Sequence, residues 1–267
     1  MSNILPQILK IQSLLIGYVS GKRSLPLLPP LDASASAGEL VAILGRNGIG
    51  KSTLLRSVAG LQKSLGGSVM INNEASEKFS RLKFATNVGY ISTDIVKVSH
   101  MRVYDLVALG RFPHTNWIGR IDGRSREAIT NALSKTRLSK LSGRYINELS
   151  DGERQRVMVA RVLAQDAGIM VMDEPSAFLD LPGKYEIMNL IRNLSRAGKT
   201  VIFSTHDINI ALRMTDRIWL ILNDGITEGS PEELLKNGSF DSMFEPFEPG
   251  NGTSFGSDMQ DYLKNFL

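Results

Sequence analysis

A glycine-rich segment between a predicted strand and a predicted helix constrains this chain more than any other feature. The segment reads Gly45-Arg46-Asn47-Gly48-Ile49-Gly50-Lys51-Ser52-Thr53. An apolar run over 40–44 precedes it and predicts a buried strand, and residues 54–59 predict the first turns of a helix. A strand, a glycine-rich loop and a helix in this order form the context that a phosphate-binding loop requires.

The residue types of this loop suit a bound nucleotide. Its glycines, Gly45, Gly48 and Gly50, allow consecutive backbone N–H groups to point at one anion. The helix that starts near Lys51 adds the positive end of its dipole. A plain glycine-rich turn is the alternative, and the strand and the helix on either side argue against it. The polar residues predicted to hold a nucleotide are Asn47, Lys51 for the β/γ-phosphates, Ser52 for a Mg²⁺ ion and Thr53 for the α-phosphate.

The composition excludes several classes of protein. The 267 residues contain no cysteine, which excludes disulfides and thiolate metal sites. The net charge is +4 and the basic residues are scattered, so a nucleic-acid-binding groove is not expected. No apolar run approaches the roughly 18–20 residues of a membrane span, and the N-terminus lacks the long apolar core of a signal peptide. We therefore expect a soluble, cytoplasmic protein that reaches a membrane only through a partner.

Two carboxylates end another apolar run. Residues 169–172 predict a fully buried strand, and Asp173 and Glu174 follow it directly. Carboxylates at the end of a buried strand are costly unless they serve an ion or a water molecule. In a chain with a phosphate loop, this position predicts Asp173 as a Mg²⁺ ligand and Glu174 as the group that activates the attacking water. A strand-end turn without function is the alternative.

Two further side chains gain a functional interpretation from their position. His206 follows the apolar strand predicted over 200–205, and ligands of open α/β sheets bind at such carboxyl ends. A lone histidine is more often structural, so its position alone leaves both interpretations open. Tyr18 closes a run over 8–18 that predicts an edge strand. By itself it is best explained as a sheet-edge aromatic, but beside a nucleotide site it becomes a candidate for stacking on adenine.

The middle of the chain changes character. From 94 to about 164 the helical pattern dominates, and residues 103–109 are apolar at helical spacing. Ser150 is a good N-cap for a helix that begins with acidic residues. The segment over 110–120 is aromatic and basic, and proline and glycine interrupt it. It is either a solvated loop with two buried aromatics or a docking surface, because aromatic and arginine side chains are favoured anchors at interfaces.

Taken together, these motifs resemble the nucleotide-binding domain of ABC transporters over about 11–235. The joint order and spacing of the motifs are specific, whereas some single motifs are weak. The matching positions are 45–53 for Walker A, 149–153 for the signature motif, 169–174 for Walker B, 177–180 for the D-loop, His206 for the switch histidine and Tyr18 for the A-loop aromatic. More narrowly, residues 107–114 resemble the ATPases of importers for iron-siderophores, haem and cobalamin.

The resemblance implies a fold and an activity. The expected fold is α/β, a P-loop NTPase (RecA-like) core with an antiparallel β edge subdomain and an α-helical subdomain inserted over about 94–165. Residues 1–240 are expected to form a single ABC nucleotide-binding domain, followed by a C-terminal tail over 241–267. The implied activity is ATP hydrolysis with Mg²⁺, which powers uptake of an iron-siderophore, haem or cobalamin cargo.

The resemblance also implies partners. Two copies form a head-to-tail dimer in this family, in which Ser150 and Gly152 would reach the γ-phosphate of the ATP bound by the other copy. Asp180 would lie at that interface. Closure of the dimer would act on integral membrane permease subunits at the inner face of the cell membrane, and indirectly on a substrate-binding protein. The residues that would dock on the permease are Phe112, His114 and Trp117.

Two places depart from the family pattern. A glutamine usually follows the strand that matches 88–91, whereas this chain has Thr93, with Asp94 beside it as an alternative metal ligand. The signature reads Ser-Asp-Gly-Glu where Ser-Gly-Gly-Gln is usual, so Asp151 and Glu153 add negative charge near the partner's triphosphate. We expect this charge to weaken ATP-driven closure, most of all at low Mg²⁺.

Other functions fit the sequence less well. An exporter ATPase subunit would share every nucleotide motif, and only the resemblance over 107–114 argues against it. A soluble ABC ATPase that acts on DNA or ribosomes usually carries two nucleotide domains, long coiled coils or zinc-binding cysteines, and this sequence has none of them. A small-molecule kinase would share the phosphate loop but would not need the segment over 149–153.

Overall fold

The computed structural model describes residues 6–93, 100–115 and 120–244. The strands are β1 (Gln7–Leu15), β2 (Gly17–Ser20), β3 (Arg23–Pro26), β4 (Leu31–Ser36), β5 (Leu40–Gly45), β6 (Gly66–Ile71), β7 (Glu74–Ala75), β8 (Val88–Ile91), β9 (Ile169–Met172), β10 (Thr200–Ser204), β11 (Arg217–Leu222) and β12 (Gly225–Gly229). The α-helices are α1 (Lys51–Val58), α2 (Arg81–Asn87), α3 (Val103–Ala108), α4 (Gly123–Lys135), α5 (Asp151–Gln165), α6 (Leu181–Arg196), α7 (Ile208–Met214), α8 (Pro231–Lys236) and α9 (Asp241–Phe244).

The central sheet positions the predicted site. Among the described residues its strand order is β12-β11-β5-β10-β9-β8, and only β12 runs antiparallel to its neighbour. In the register of this sheet Ile43 pairs with Ser204, and Met172 pairs with Phe203. The carboxyl ends of β5, β9 and β10 therefore lie side by side. This arrangement brings the glycine-rich loop, the two carboxylates and the histidine to one edge of the sheet.

Strand β5 is buried on both faces, which explains its continuous apolar run. Leu40, Ala42 and Leu44 pack into the core that the helices form on one face. Val41 and Ile43 point the other way, into a core shared with α1 and the antiparallel sheet. Because side chains alternate along a strand, a strand between two cores must be apolar at every position.

The N-terminal strands differ from the sequence prediction. A single edge strand over 8–18 is wrong, because β1 lies between β4 and β6 in an antiparallel sheet with the order β4-β1-β6-β7. After Ile16 the chain turns into a separate hairpin of β2 and β3. Gly17 permits this turn, since a Cβ atom there would lie 2.2 Å from the carbonyl oxygen of Leu25.

Helices α3, α4 and α5 lie between β8 and β9 in the sequence and pack against one another. Their apolar side chains, such as Val103, Ile129 and Val157, join the core under the central sheet. The predicted boundaries at 94–165 and at 240 remain predictions. None of the helices in the described ranges is both long enough and apolar enough to cross a bilayer.

Candidate active site

The glycine-rich loop joins the end of β5 to the start of α1 at the carboxyl edge of the sheet. Gly48 (φ +77°) and Gly50 (φ +116°) adopt left-handed backbone conformations, which glycine reaches without strain. Asn47 is exposed on the loop. Ser52 and Thr53 belong to the first turn of α1, next to Lys51. The loop therefore ends where the positive end of the helix dipole begins.

Lys51 crosses the loop and is buried. Its Nζ donates to the carbonyl oxygens of Gly45 at 2.8 Å and Arg46 at 3.1 Å. Burial lowers the pKa of Lys51, while the negative charges of Glu174 and Asp173 act in the opposite direction. The ammonium group is thus within electrostatic reach of both carboxylates. In this conformation the loop carbonyls accept two of the three ammonium protons.

The two carboxylates after β9 sit in different environments. Asp173 is buried, and its Oδ1 accepts a hydrogen bond from Ser204 Oγ at 2.7 Å. Glu174 is partly exposed and has a φ of +47°, a left-handed conformation that costs a non-glycine residue about 1–3 kcal/mol. Its N–H donates to the same Ser204 Oγ at 2.9 Å, and its carbonyl accepts from the N–H of Ala177. The strained backbone of Glu174 is therefore held on both sides.

His206 meets Glu174 at this edge. Its Nε2 contacts Glu174 Oε1 in an ion pair or a hydrogen bond, depending on the protonation of the ring. Roughly half of the histidine side chain is exposed, and just beyond it Asp207 caps the start of α7. The structure thus brings together the predicted switch histidine and the predicted catalytic carboxylate, which are 32 positions apart in the sequence.

The donor set at this edge fits Mg²⁺. A hard cation of this kind takes oxygen ligands, and it is usually bound by one or two carboxylates together with substrate phosphates and water. Asp173 supplies a buried carboxylate, and Ser52 supplies a hydroxyl at the start of α1. The cation would offset the negative charge of the carboxylates and of a bound triphosphate, which Lys51 alone cannot neutralise. These two residues would hold the ion.

Tyr18 reaches the phosphate loop from the β2–β3 hairpin. Its hydroxyl lies 3.1 Å from Thr53 Oγ1, and about half of the side chain is exposed. The exposed ring therefore lies beside the residue predicted to contact the α-phosphate. That placement is compatible with stacking on an adenine ring.

Thr93 is close to the predicted metal ligand, although it points at the backbone. Its Oγ1 donates to the carbonyl oxygen of Asp173 at 3.3 Å, so in this conformation the hydroxyl bonds the main chain behind the carboxylate. Asp94, the alternative ligand, lies outside the described residues.

The signature segment forms the start of α5 and satisfies its own hydrogen bonds. Ser150 is the N-cap, and it forms a capping box with Glu153, whose carboxylate accepts from the Ser150 N–H at 2.9 Å and lies 3.1 Å from its hydroxyl. The N–H of Ser150 lowers the pKa of Glu153. Asp151 pairs with Arg154 at 2.9 Å. Gly152 follows in the first turn, with open space around its Cα.

Known proteins resemble this chain in sequence and in fold. Residues 28–177 match the model of the family described as ABC transporter. The chain belongs to the ABC transporter family. The achromobactin transport ATP-binding protein CbrD of Dickeya dadantii (strain 3937) is 34% identical over 235 residues, which are 87% of this chain and 86% of that protein. The iron(3+)-hydroxamate import ATP-binding protein FhuC of Bacillus subtilis (strain 168) is 33% identical over 240 residues, 89% and 87% of the two chains.

A solved structure adds the nucleotide. The dimeric structure of the ATP-binding cassette MJ0796, in a post-hydrolysis state with ADP and Pi, superposes with a TM-score of 0.72 at 27% identity. It covers 84% of this chain and 98% of that cassette. The predicted family and the predicted α/β P-loop fold are thereby confirmed, and this chain is an ABC ATPase that binds ATP or ADP.

The D-loop of this ABC ATPase leads from the carboxylates into α6. Asp180 is exposed and caps α6 by accepting a hydrogen bond from the Gly183 N–H at 3.0 Å. Phe178 has a positive φ of +63° and is 75% exposed. The aromatic ring of Phe178 is therefore exposed to solvent next to the active edge. The role of Asp180 at a dimer interface remains a prediction.

Another exposed apolar side chain lies near the C-terminal end of α5. Phe112 is 76% exposed on a short 3₁₀ helix that packs against α2 and α5. His114 is also exposed, but its Nε2 is bonded to the carbonyl oxygen of Gln165 at 2.8 Å. Trp117 lies outside the described residues. Beside this helix runs a groove of about 740 Å³, with Leu61, Phe84, Tyr90 and Arg161 among its lining residues.

One residue of the active edge escaped the sequence analysis. Ser204 ends the apolar strand β10 and is fully buried, and its hydroxyl bonds the carboxylate of Asp173 and the backbone N–H of Glu174. The available signal was a polar residue closing an otherwise apolar run beside the histidine. That signal is weak, because strand ends are often polar and the partner residues are distant in the sequence.

Proposed function

We propose that this ABC ATPase powers an importer of iron chelates such as siderophore complexes. The observation that carries the ATPase part of the proposal is the joint placement of Lys51, Asp173, Glu174 and His206 at one edge of the sheet, and the importer part rests on the relatives. That edge can hydrolyse ATP, and the printed names of CbrD and FhuC connect such an ATPase to achromobactin transport and iron(3+)-hydroxamate import.

We propose roles for the residues at this edge from their positions. Lys51 binds the β/γ-phosphates, and Tyr18 stacks on adenine with Thr53 at the α-phosphate. Ser52 and Asp173 would hold Mg²⁺, which would supply positive charge to offset that of the phosphates. Glu174 accepts a proton from the water that attacks the γ-phosphorus in line. His206, oriented by its contact with Glu174, senses whether the γ-phosphate is present. Thr93 would reach the metal only through a water, because its side chain is short, and Asp94 is the alternative ligand.

A second copy of the chain completes the site. Ser150 and Gly152 start a helix whose N-terminus is exposed, and such a helix end binds anions. In a head-to-tail dimer this end would meet the γ-phosphate held by the other copy, with Asp180 at the interface. The MJ0796 cassette, which is 27% identical to this chain, is dimeric in its ADP and Pi state.

The partner beyond the dimer is a membrane permease. Four exposed apolar side chains lie in or around the groove between α2 and α5. Leu61 lines the groove, Leu82 is on α2, and Leu109 and Phe112 are on the 3₁₀ helix that packs against α2 and α5. Apolar patches of this kind mark protein interfaces. The permease would hold the ATPase at the inner face of the cell membrane and would connect it to a substrate-binding protein.

The chemistry is tested by Glu174→Gln. Because the amide cannot accept the proton of water, turnover should fall roughly 10²-fold or more, while the Kd for ATP stays within about twofold. Glu232→Gln is a matched control, since Glu232 pairs only with Lys236 on exposed helix α8 among the contacts described. Single-turnover hydrolysis and nucleotide binding are measured side by side. Retained hydrolysis in Glu174→Gln would show that another group is the base.

The transport role is tested by affinity purification of tagged Glu174→Gln from detergent-solubilised native membranes with ATP and Mg²⁺. Mass spectrometry should identify a polytopic permease, with or without a substrate-binding protein, and the permease's sequence would narrow the cargo. Ribosomal or DNA-repair proteins without a permease would overturn the importer assignment and leave the ATPase chemistry intact.

A further inference from the structure

Ser204 is linked through a single hydroxyl group to the carboxylate of Asp173 and to the backbone of Glu174. It accepts the N–H of Glu174 at 2.9 Å and donates to Asp173 Oδ1 at 2.7 Å. The residue is fully buried at the end of β10, next to the strand that carries the carboxylates. A buried hydroxyl with one donated and one accepted bond has a fixed proton direction, so the two bonds depend on each other.

Each bond constrains a different part of the predicted chemistry. The accepted bond holds the backbone of Glu174 in its left-handed conformation, which persists only where its surroundings impose it. The donated bond fixes the rotation of the Asp173 carboxylate, so that its other oxygen keeps one direction toward a metal ion. Groups that orient metal ligands in this way affect metal affinity and rate without touching the substrate.

We propose that Ser204 is a positioning residue for ATP hydrolysis, which aligns the metal-binding carboxylate Asp173 and the catalytic carboxylate Glu174 through one hydroxyl. The inference rests on the proposed roles of these two carboxylates. Removal of the hydroxyl lets Asp173 rotate and Glu174 relax, so Mg²⁺ binds more weakly to the ATP complex and the water is less well aligned.

The chain offers a matched control at the other end of the same strand. Thr200 is also fully buried, and its hydroxyl likewise accepts one bond, from the Gly38 N–H at 3.0 Å, and donates one, to the Ser36 carbonyl at 3.0 Å. Ser204→Ala and Thr200→Val each delete one such hydroxyl. Both variants should lose a similar few degrees of melting temperature, because each leaves buried polar groups without partners.

The two variants should differ in function. For Ser204→Ala we expect kcat to fall about tenfold and the Mg²⁺ concentration for half-maximal rate to rise about fivefold. Thr200→Val should keep both values within about twofold of the unmodified protein. EDTA removes Mg²⁺, and neither hydroxyl is proposed to bind the nucleotide itself. The Kd for ATP in EDTA should therefore be unchanged in both variants.

A second readout does not depend on turnover. The melting temperature is followed during a Mg²⁺ titration at a fixed ATP concentration, because a ligand that binds the folded state raises it. The titration midpoint should move to about fivefold higher Mg²⁺ in Ser204→Ala and stay in place in Thr200→Val. Equal midpoints and equal rates in the two variants would show that Ser204 is a structural residue only.

The failure of this inference can be separated from failure of the proposed function. If Glu174→Gln retains hydrolysis, the base assignment fails, and the Mg²⁺ midpoint of Ser204→Ala still tests the contact with Asp173. If Glu174→Gln loses turnover while Ser204→Ala behaves like Thr200→Val, only the role of Ser204 is overturned. In the double variant Glu174→Gln/Ser204→Ala, rate losses that multiply rather than overlap would also contradict a shared role of Ser204 and Glu174.

Discussion

Two parts of this ABC ATPase are held in contrasting ways. One is the Walker edge, the edge of the sheet that carries Lys51, Asp173 and Glu174, and the other is the signature end, the start of α5 at 150–153. At the Walker edge, Asp173 is buried and Glu174 is strained, and both are bonded to Ser204 on another strand. At the signature end, Ser150 is exposed and bonds Glu153, three residues away on the same helix. The Walker edge is organised by tertiary contacts, whereas the signature end is satisfied by its own first turn.

The difference suggests a division of labour between the two ends. A network of buried bonds keeps charged groups aligned for chemistry whether or not a partner is present. A self-capped, exposed helix end keeps its shape in the isolated chain and can exchange its local bonds for bonds to a partner's ligand. Substitutions at the Walker edge should therefore affect binding and turnover strongly, and those at the signature should affect dimer closure more mildly.

The largest effect is expected from Lys51→Ala at the Walker edge. Loss of the buried ammonium should lower kcat/KM for ATP by about 10²–10³-fold, because we propose that this charge binds the transferring phosphoryl group. Lys199→Ala is the control, since Lys199 pairs with Asp166 at the opposite end of the parallel strands. It should change kcat/KM by less than about twofold. A similar loss in both variants would show that the effect of Lys51→Ala is not specific to the Walker edge.

A smaller effect is expected from the charge of Asp151 at the signature. In the Glu174→Gln background, Asp151→Gly should raise ATP-dependent dimerisation a few-fold at low Mg²⁺. The gain is limited because Arg154 already pairs with Asp151. Asp151→Asn controls for shape, and it should act like Asp151→Gly if charge is the cause. Dimerisation is measured by size-exclusion chromatography with light scattering, and equal dimer fractions with and without the charge would contradict the hypothesis.

The smallest effect is expected from Glu153→Gln, which tests the capping box. A glutamine can keep the box, but it cannot titrate. The pKa of Glu153 is lowered in the folded state by the N–H of Ser150, so its contribution to stability is complete above the unfolded-state value of about 4.3 and is lost as the pH falls through the folded-state pKa. The advantage of wild type over Glu153→Gln in urea unfolding should be under about 1 kcal/mol at pH 7 and should shrink below about pH 4.

A second capping box sharpens this test. Ser230 and Glu233 form the same arrangement at the start of α8, and the Ser230 N–H lowers the pKa of Glu233. Glu233→Gln should reproduce the pH dependence of stability and leave ATP-dependent dimerisation unchanged. If Glu153→Gln and Glu233→Gln shift dimerisation equally, the signature has no special role in closure.

The contiguous motifs of this protein were predictable because residues adjacent in the sequence determine the local structure of each motif. A strand, a glycine-rich loop and a helix in sequence define the phosphate loop at 45–53, and an apolar strand ending in two carboxylates marks Asp173 and Glu174. The strand over 8–18 was mispredicted, because the apolar pattern does not reveal which strands flank it or that Gly17 allows a second hairpin. Burial pattern follows from sequence, whereas strand neighbours depend on the whole fold.

The sequence by itself determined the family through the joint order and spacing of its motifs. It also determined the nucleotide chemistry and the N-cap at Ser150, since each of these is encoded in residues that are adjacent or one helical turn apart. Only the tertiary structure decided that Ser204 bonds both Walker B residues from 31 and 30 positions away, and that Tyr18 meets Thr53 across 35 positions. The physical reason is that parallel strands bring distant carboxyl ends to one edge, and their order in the sheet is a property of the packed core.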